Sequence, residues 1–219
     1  MNVLIIGAGN MGRGIATRLA RSASTLILHD VDAAKAEALA ADITGSQPET
    51  RVQVTASPAA AVSTSDIVIL ACSYAINLET ARSLGTALTG MIVVDISNPL
   101  NDSYDDLVTA PGTSAAETIR DVIPADATLL KAFNTTFAST LATGAVAGQP
   151  LDVFIAGDND AAKTTFTQLL RRAGLTPIDA GALLRARQLK ALGLLGITLQ
   201  SRLGTGFATA WRLVLPVAA

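Results

Sequence analysis

The feature that most constrains this chain is a glycine-rich turn that follows an apolar run near its start. Residues 3–6 read Val-Leu-Ile-Ile and lead into Gly7-x-Gly9-x-x-Gly12. In such a turn the first glycine permits a tight bend out of a strand, the second lets the backbone approach a pyrophosphate, and the third lets the next helix pack close to the sheet. The phosphates then lie at a helix N-terminus, where unpaired N–H groups and the helix dipole favour anions. The pattern therefore predicts a dinucleotide site.

Two further features of this region bear on the cofactor. Asn10 and Met11 are the variable residues of the turn and are expected to face the dinucleotide, although Asn10 also suits a helix cap. A second apolar run ends at Asp30. A carboxylate there accepts hydrogen bonds from a ribose 2′-OH and repels a 2′-phosphate, which favours NAD. Lys35 leaves NADP open, and the alternative is that Asp30 or Asp32 caps the next helix.

Composition excludes several classes of function. The 219 residues carry 18 acidic and 16 basic side chains, a net charge of -2, and half of them are hydrophobic. The basic residues are scattered, so neither nucleic acid nor an anionic membrane is expected as a partner. No signal-like segment or membrane-spanning run is present, and a cytoplasmic location is expected. Cys72 is the one cysteine and His29 the one histidine, so neither a disulfide within the chain nor a metal site is predicted.

Short runs rich in Val, Ile and Leu alternate with longer stretches rich in Ala, Glu, Lys and Arg. The short runs lack a period of two, as expected of strands buried on both faces of a parallel sheet. The sequence predicts a doubly wound, mostly parallel Rossmann sheet of about eight strands. We expect a dinucleotide-binding domain over 1–180 and a helical segment over 181–219 that packs on it. Strands are predicted at 2–6, 25–30, 52–55, 66–71, 91–95, 128–132, 152–156 and 175–179, and helices at 10–22, 32–43, 58–63, 75–88, 114–121, 136–142, 159–173 and 182–202.

The last of these helices is apolar on more than one face. Its leucines include Leu189, Leu192, Leu195 and Leu199. Such a helix is buried on several sides. Two arrangements fit equally well: a homodimer that buries one face against a second copy, or burial wholly within the same chain.

Ligands of open parallel sheets bind at the carboxyl ends of the strands, so the residues that follow each strand are candidates for the site. After the fourth strand, Ala71 and Cys72 are small enough for the chain to pass over a cofactor. Tyr74 is suited to packing on a ring. Cys72 is more typical of a small buried residue than of a nucleophile, because no histidine near it in the sequence activates it.

The exits of the fifth and sixth strands carry two asparagines. Asn98-Pro99 lies where the nicotinamide end of a dinucleotide is expected, and Asn134 is positioned to orient a ligand, although an ordinary turn also fits Asn98-Pro99. A carbonyl reductase needs a proton donor close to the hydride acceptor. Lys131 and Lys190 are the candidates, but neither belongs to a recognisable acid/base set, so no catalytic residue is predicted. Hydride transfer to a flavin-like ring needs no such donor, because the cofactors supply the chemistry.

Taken together, the residues that follow these strands resemble those of the family of NADP reductases dependent on the deazaflavin coenzyme F420. This family also includes the cytosolic domain of the STEAP metalloreductases. The resemblance covers essentially the whole chain, and the Asn-Pro-Leu and Lys-Ala-Phe-Asn-Thr motifs are its most specific parts. The motifs that carry it are residues 5–12, 93–100, 114–117, 131–135, 153–158, 179–181 and 186–187.

The resemblance implies a usually dimeric protein that moves hydride between a nicotinamide and a flavin or deazaflavin, a small-molecule acceptor. It implies that the dinucleotide contacts Gly9, Asn10, Met11, Cys72, Tyr74, Asn98 and Pro99. It also implies that the acceptor ring lies against Ser114, Phe133, Asn134 and the segment 204–207, which ends at Phe207. Members that use NADP tend to carry Ser, Thr or Arg after the second strand, whereas this chain has Asp30 there, which puts the NADP preference in doubt.

Three functions are therefore compatible with the sequence. The first is an NAD(P)H-dependent oxidoreductase that passes hydride to a flavin, deazaflavin or similar acceptor. The second is a sensor or partner protein that binds NAD(P) without catalysis. The third is a reductase of small keto or imino acids, which requires Lys131 or Lys190 beside the nicotinamide.

Overall fold

Eight strands form one sheet in the computed structural model, which describes residues 1–216. In chain order they are β1 (Asn2–Ile6), β2 (Thr25–His29), β3 (Arg51–Val54), β4 (Ile67–Leu70), β5 (Ile92–Asp95), β6 (Thr128–Lys131), β9 (Asp152–Gly157) and β10 (Thr176–Gly181). Two more strands, β7 (Ala145–Val146) and β8 (Gln149–Pro150), pair with each other in a small antiparallel hairpin. This hairpin was not predicted, because two-residue strands carry no recognisable pattern.

The order of the strands across the sheet is β10-β9-β6-β5-β4-β1-β2-β3. Strands β1 to β6 are parallel, β9 is antiparallel to β6, and β10 is parallel to β9. The predicted fold class, a doubly wound and mostly parallel sheet, is thereby confirmed. Strand order reverses between β1 and β4, so a crevice for a ligand is expected at the carboxyl ends of these two strands.

Helices cover both faces of the sheet. They are α1 (Asn10–Leu19), α2 (Ala33–Ser46), α3 (Pro58–Val62), α4 (Tyr74–Leu84), α5 (Ala115–Arg120), α6 (Ala138–Thr143), α7 (Asp160–Arg172) and α8 (Ala186–Leu203). The predicted helix 75–88 ends early because Gly85 has a φ of +48°, and a 3-10 turn follows over Gly85–Leu88. Another 3-10 turn, Leu183–Arg185, replaces the start of the predicted helix 182–202.

Each face of the sheet has its own apolar core. One core joins the strands to α1, α2, α6 and α7 through side chains such as Ile15, Leu39, Leu141 and Phe166. The other joins them to α3, α4 and α5 through Val62, Leu84 and Ile119. Burial on both faces explains why the strands read as continuous apolar runs.

Helix α8 is the exception to this layering. Its buried residues are mainly small or polar: Ala186, Leu189, Lys190, Gly193, Gly196 and Gln200. The aliphatic face lies outward, with Leu195 49% and Leu203 60% exposed. Leu189 is buried within the chain, but the exposure of Leu195 and Leu203 does not fit the arrangement in which α8 is buried wholly within the same chain. No helix over 1–216 is long and apolar enough to cross a bilayer.

Close packing of α1 on α6 leads to a test of the fold. A Cβ at Gly14 would lie 2.6 Å from the carbonyl oxygen of Ala138, whereas a Cβ at Gly45 on α2 meets no atom within 4 Å. We expect Gly14→Ala to lower the free energy of unfolding by about 1–3 kcal/mol, because the helices must separate. The matched variant Gly45→Ala should leave it unchanged or raise it by up to about 1 kcal/mol. Chemical denaturation measures both, and equal effects would contradict this packing.

Candidate cofactor site

The three glycines of the turn between β1 and α1 have different surroundings. Gly7 has a φ of +109°, and a Cβ there would lie 2.6 Å from the Sγ of Cys72. A Cβ at Gly12 would overlap the carbonyl oxygen of Gly7. Gly9 is exposed, and a Cβ there would meet no atom within 4 Å. Gly7 and Gly12 are thus required by the fold, whereas the absence of a side chain at Gly9 leaves open space in front of the turn.

The N-terminus of α1 faces this space. Gly9 occupies the N-cap position, where no side chain caps the helix, and the first turn contains no acidic residue. Asn10 is the first residue of the helix, so the expectation that it caps α1 is wrong. The first N–H groups of a helix have no partner within it. Together with the positive end of the helix dipole, these groups fit a pyrophosphate.

The Asp30 side chain is hydrogen-bonded to the glycine turn. Its carboxylate accepts hydrogen bonds from the Ala8 N–H at 2.7 Å and from the Asp32 N–H at 2.9 Å. Each carboxylate oxygen has a further lone pair, so the group retains the capacity to accept from ribose hydroxyls. Asp32 holds the N-cap position of α2 without a capping hydrogen bond, and its carboxylate lies 3.7 Å from the Nζ of Lys35. A negative group thus lies at the end of β2.

The segment after β4 lies against the same turn. The Cys72 N–H donates to the Oδ1 of Asn77 at 3.0 Å. Burial and the negative charge of Asp30 raise the pKa of the Cys72 thiol, which keeps it protonated and a poor nucleophile. Ala71 is buried, while Tyr74 begins α4 and is half-buried. The structure therefore brings Gly7, Ala71 and Cys72 together, as the sequence predicted for the crevice.

Below the exits of β4, β5 and β6 lies a group of polar side chains that we call the ionic layer: Asn77, Asp95, Ser97 and Lys131. All four are at most 4% exposed. The Nζ of Lys131 donates to Asp95 at 2.6 Å and also to the carbonyl oxygen of Ser97. Asp95 in turn accepts from the side chains of Asn77 at 3.1 Å and Ser97 at 2.7 Å. The pKa of Lys131 is lowered, because the effect of burial exceeds that of Asp95.

The importance of this layer was missed at the sequence level. Asp95 and Lys131 end two neighbouring strands and are direct partners in the sheet register. Opposite charges at the ends of two apolar strands are the signal that could have identified the pair. No sequence pattern marks Asn77, because its contribution depends on how α4 packs over the strand ends.

Asn98 and Asn134, the two asparagines predicted to line the site, lie above the ionic layer and contact each other. The Nδ2 of Asn98 donates to the carbonyl oxygen of Asn134 at 2.7 Å, and the Nδ2 of Asn134 donates to the Oδ1 of Asn98 at 2.9 Å. Asn134 also donates to the carbonyl oxygen of Leu189 in α8 at 2.8 Å. A Cβ at Gly193 would lie 2.6 Å from the Oδ1 of Asn98, so a glycine is needed where α8 crosses this pair. Pro99, which follows, is buried.

Three of the four residues assigned to the acceptor ring are buried in the fold: Ser114, Phe133 and Asn134. Ser114 is 1% exposed; it caps α5 and donates to Glu117 at 2.8 Å. Glu117 forms a bidentate pair with Arg187, which lowers the pKa of this carboxyl group. Phe133 is 1% exposed and packs edge-on against Phe166. Direct contact of the Ser114 or Phe133 side chain with an acceptor ring does not fit this burial.

Phe207 is different, because it is 46% exposed and has a φ of +63°. Its ring packs edge-on against Phe137, which follows β6, at a centroid distance of 5.2 Å. Positive φ is strained for a bulky residue, and such strain is common at binding sites. Phe207 is therefore the predicted acceptor residue whose side chain is accessible.

The two candidate lysines have different surroundings. Lys131 is 1% exposed and belongs to the ionic layer, which does not suit a proton donor. Lys190 is 8% exposed and donates to the Oγ1 of Thr109 at 2.7 Å, and its ammonium group has further N–H groups. The geometry therefore disfavours only the keto or imino acid reductase that would use Lys131. No cluster of His, Cys, Asp and Glu suited to a metal is present over 1–216.

The fold is thus an α/β fold of Rossmann type with an open glycine turn where the strand order reverses, and comparison with known proteins agrees with this class. Residues 2–99 match the model of the family described as NADP oxidoreductase, coenzyme F420-dependent. The chain is 28% identical to the F420-dependent NADP reductase of Methanocaldococcus jannaschii, over 94% of this chain and 96% of that protein. It is 31% identical to the metalloreductase STEAP3 of Rattus norvegicus over 87% of this chain, but spans only 36% of that protein.

A solved structure extends the likeness to the whole fold. The crystal structure of a candidate F420-dependent NADP reductase from Arthrobacter sp. FB24 is 28% identical, with a TM-score of 0.80, and covers 97% of this chain and 99% of that one. These matches confirm the resemblance to the NADP oxidoreductases that depend on coenzyme F420. The predicted enzyme class, an NAD(P)-dependent oxidoreductase, is confirmed by the same relatives.

The open space at Gly9 distinguishes a binding role from a structural one. We expect Gly9→Ala to fold with a free energy of unfolding within about 1 kcal/mol of wild type, because the added methyl group meets no protein atom and the cost is that of a poorer N-cap residue. The same variant should lose most of its affinity for dinucleotides, because the methyl group occupies the space of the pyrophosphate. Calorimetric titration with NADH and NADPH measures the loss. Unchanged affinity in Gly9→Ala would show that no phosphate binds at this turn.

Proposed function

We propose that the protein is an NAD(P)H-dependent oxidoreductase that transfers hydride between a nicotinamide and a flavin or deazaflavin-like small molecule. The observation that carries the proposal is the open face of the turn at Gly9, which adjoins both the α1 N-terminus and Asp30. The polar groups at the neighbouring strand exits are engaged with one another rather than arranged as an acid/base set. Hydride exchange between two rings requires orientation more than proton transfer.

Different residues of the crevice bind different parts of the dinucleotide. The first N–H groups of α1 hold the pyrophosphate, Asp30 accepts from the adenosine ribose, and Cys72 and Asn98 line the nicotinamide end. When bound, the nicotinamide supplies or accepts the hydride, which is chemistry that no side chain of this chain provides. Phe207 offers an exposed aromatic face to the acceptor ring.

Turnover with a panel of acceptors tests this function. Purified protein mixed with NADH or NADPH and each of FMN, FAD, a deazaflavin and a quinone should oxidise the nicotinamide with at least one flavin-like acceptor, seen as loss of its absorbance. Gly9→Ala is the control that should remove this activity without unfolding the protein. Tight dinucleotide binding without turnover on any acceptor would instead support a sensor that catalyses nothing.

We further propose that this chain prefers NADH, although its relatives are NADP-dependent. The Asp30 carboxylate is fixed on the glycine turn by its bond to the Ala8 N–H, so a 2′-phosphate would face a negative charge that cannot easily turn away. The basic residue nearest to Asp30 along the sequence, Lys35, is exposed and paired with Asp32.

Replacement of Asp30 tests the coenzyme preference. We expect Asp30→Ser to shift the ratio of NADH to NADPH affinity toward NADPH by about 1 kcal/mol or more, because a close charge repulsion is removed. The matched variant Asp32→Ser removes a neighbouring exposed carboxylate and should change the ratio much less. Calorimetry of both coenzymes on all three proteins gives the values. An unchanged ratio in Asp30→Ser would mean that this carboxylate does not contact the ribose.

The outward aliphatic face of α8 supports a homodimer as the working form. Leu195 and Leu203 lie on this helix, and Leu213, Val214 and Leu215 follow it; each is at least 47% exposed. Apolar surface that continues over a helix and the next segment is typical of an interface.

Light scattering tests the dimer. We expect wild type to have the mass of two chains and Leu195→Glu to have the mass of one, because a charge would be buried at the interface. Ile76→Glu is the matched control, since Ile76 is 55% exposed on α4 and should not affect assembly. A monomeric wild type would refute the dimer.

A further inference from the structure

We propose that the buried Asp95–Lys131 pair is a positioning device that fixes the exits lining the nicotinamide end of the crevice. The proposal rests on the proposed function, because it assumes that a nicotinamide dinucleotide binds at these exits. It assigns Asp95, Lys131 and Asn77 as positioning residues that act through Cys72 and Asn98, rather than as groups that touch the cofactor.

The first step is the connection from the pair to the exit of β4. Asn77 donates to Asp95 at 3.1 Å and to the carbonyl oxygen of Leu70 at 2.9 Å. Its Oδ1 accepts from the Cys72 N–H at 3.0 Å. One buried carboxamide therefore links the end of β4, the residue that borders Gly7, and the carboxylate of β5.

The second step is the connection to the exit of β5. The N–H and the Oγ of Ser97 both donate to the Oδ1 of Asp95, at 3.0 and 2.7 Å. The carbonyl oxygen of Ser97 accepts from the Nζ of Lys131. The N–H and the carbonyl group of Ser97 are therefore both bonded to the ion pair. These bonds fix the direction of the backbone as it continues from the ionic layer to Asn98.

The third step concerns why charges are present at all. Two ions at most 1% exposed carry a large desolvation cost, and an apolar pair of similar volume is often as stable or more so. An apolar pair, however, offers no acceptor to Ser97 or Asn77 and no donor to the Ser97 carbonyl. Beyond packing, the ion pair provides hydrogen bonds of fixed direction to Asn77 and Ser97. These two residues adjoin Cys72 and Asn98, which line the crevice.

The experiment compares NADH with ADP-ribose, which lacks the nicotinamide. The variant is Asp95→Leu with Lys131→Met, which replaces the ion pair by an apolar pair of similar volume and so avoids the unpaired buried ion that each single substitution creates. We expect the double variant to bind NADH about tenfold more weakly or worse, because displaced exits misplace the ring, and to bind ADP-ribose as wild type does. The control is Lys163→Met with Asp179→Asn, which removes a Lys–Asp pair from α7 and the edge strand β10. It should bind both ligands normally.

Equal affinity of the double variant and wild type for NADH would overturn the proposal, as would equal loss of NADH and ADP-ribose, since the latter indicates a general structural role. If the double variant does not fold, Asn77→Ser is the second test, because it keeps both charges and removes the bond to Cys72. This variant should show the same selective loss of affinity for NADH. Normal NADH binding by Asn77→Ser would overturn the proposal. Failure of wild type to bind either ligand would refute the proposed function instead, so the two outcomes are distinguishable.

Discussion

Two opposite charges buried side by side at the ends of neighbouring strands bond to the segments that follow β4 and β5 at the carboxyl edge of the sheet. Asp95 and Lys131 are almost completely removed from water, so each of their polar atoms requires a partner within the protein. The partners are Asn77 and Ser97, which belong to the helix and the loop that follow β4 and β5. A charge pair in the sheet therefore determines the course of the loops above it.

The two ends of the crevice are held by different interactions. Beside the glycine turn, Asp30 accepts from the Ala8 N–H, and a side chain at Gly7 or Gly12 would meet protein atoms. At the other end, α8 crosses the Asn98–Asn134 pair, with Gly193 at the point of contact. Both ends are thus held by contacts within the protein, which agrees with the proposed hydride transfer, since that reaction depends on the orientation of two rings.

Much of the fold could be predicted because burial on both faces makes each parallel strand a continuous apolar run, and every predicted strand is present within two residues of its bounds. The glycine turn and the residues after β4 were also predicted correctly as neighbours. The buried positions of Ser114 and Phe133 were not, because a residue next to a strand exit can point into the core as easily as into the crevice. Gly9 rather than Asn10 caps α1, since the backbone of the turn decides where the helix begins. Leu195 and Leu203 of α8 face outward, whereas Gly193 lies where the helix crosses the asparagine pair and only a residue without a side chain fits.

The most direct measurement is a crystal structure of the protein with NADH bound. We expect the pyrophosphate over Gly9 at the N-terminus of α1, a ribose hydroxyl on the Asp30 carboxylate, and the nicotinamide beside Cys72 and Asn98, with the Asp95–Lys131 pair unchanged beneath it. A dinucleotide bound elsewhere would contradict the assignment of the crevice. A nicotinamide directed away from the exits of β4 and β5 would contradict hydride transfer at this edge of the sheet.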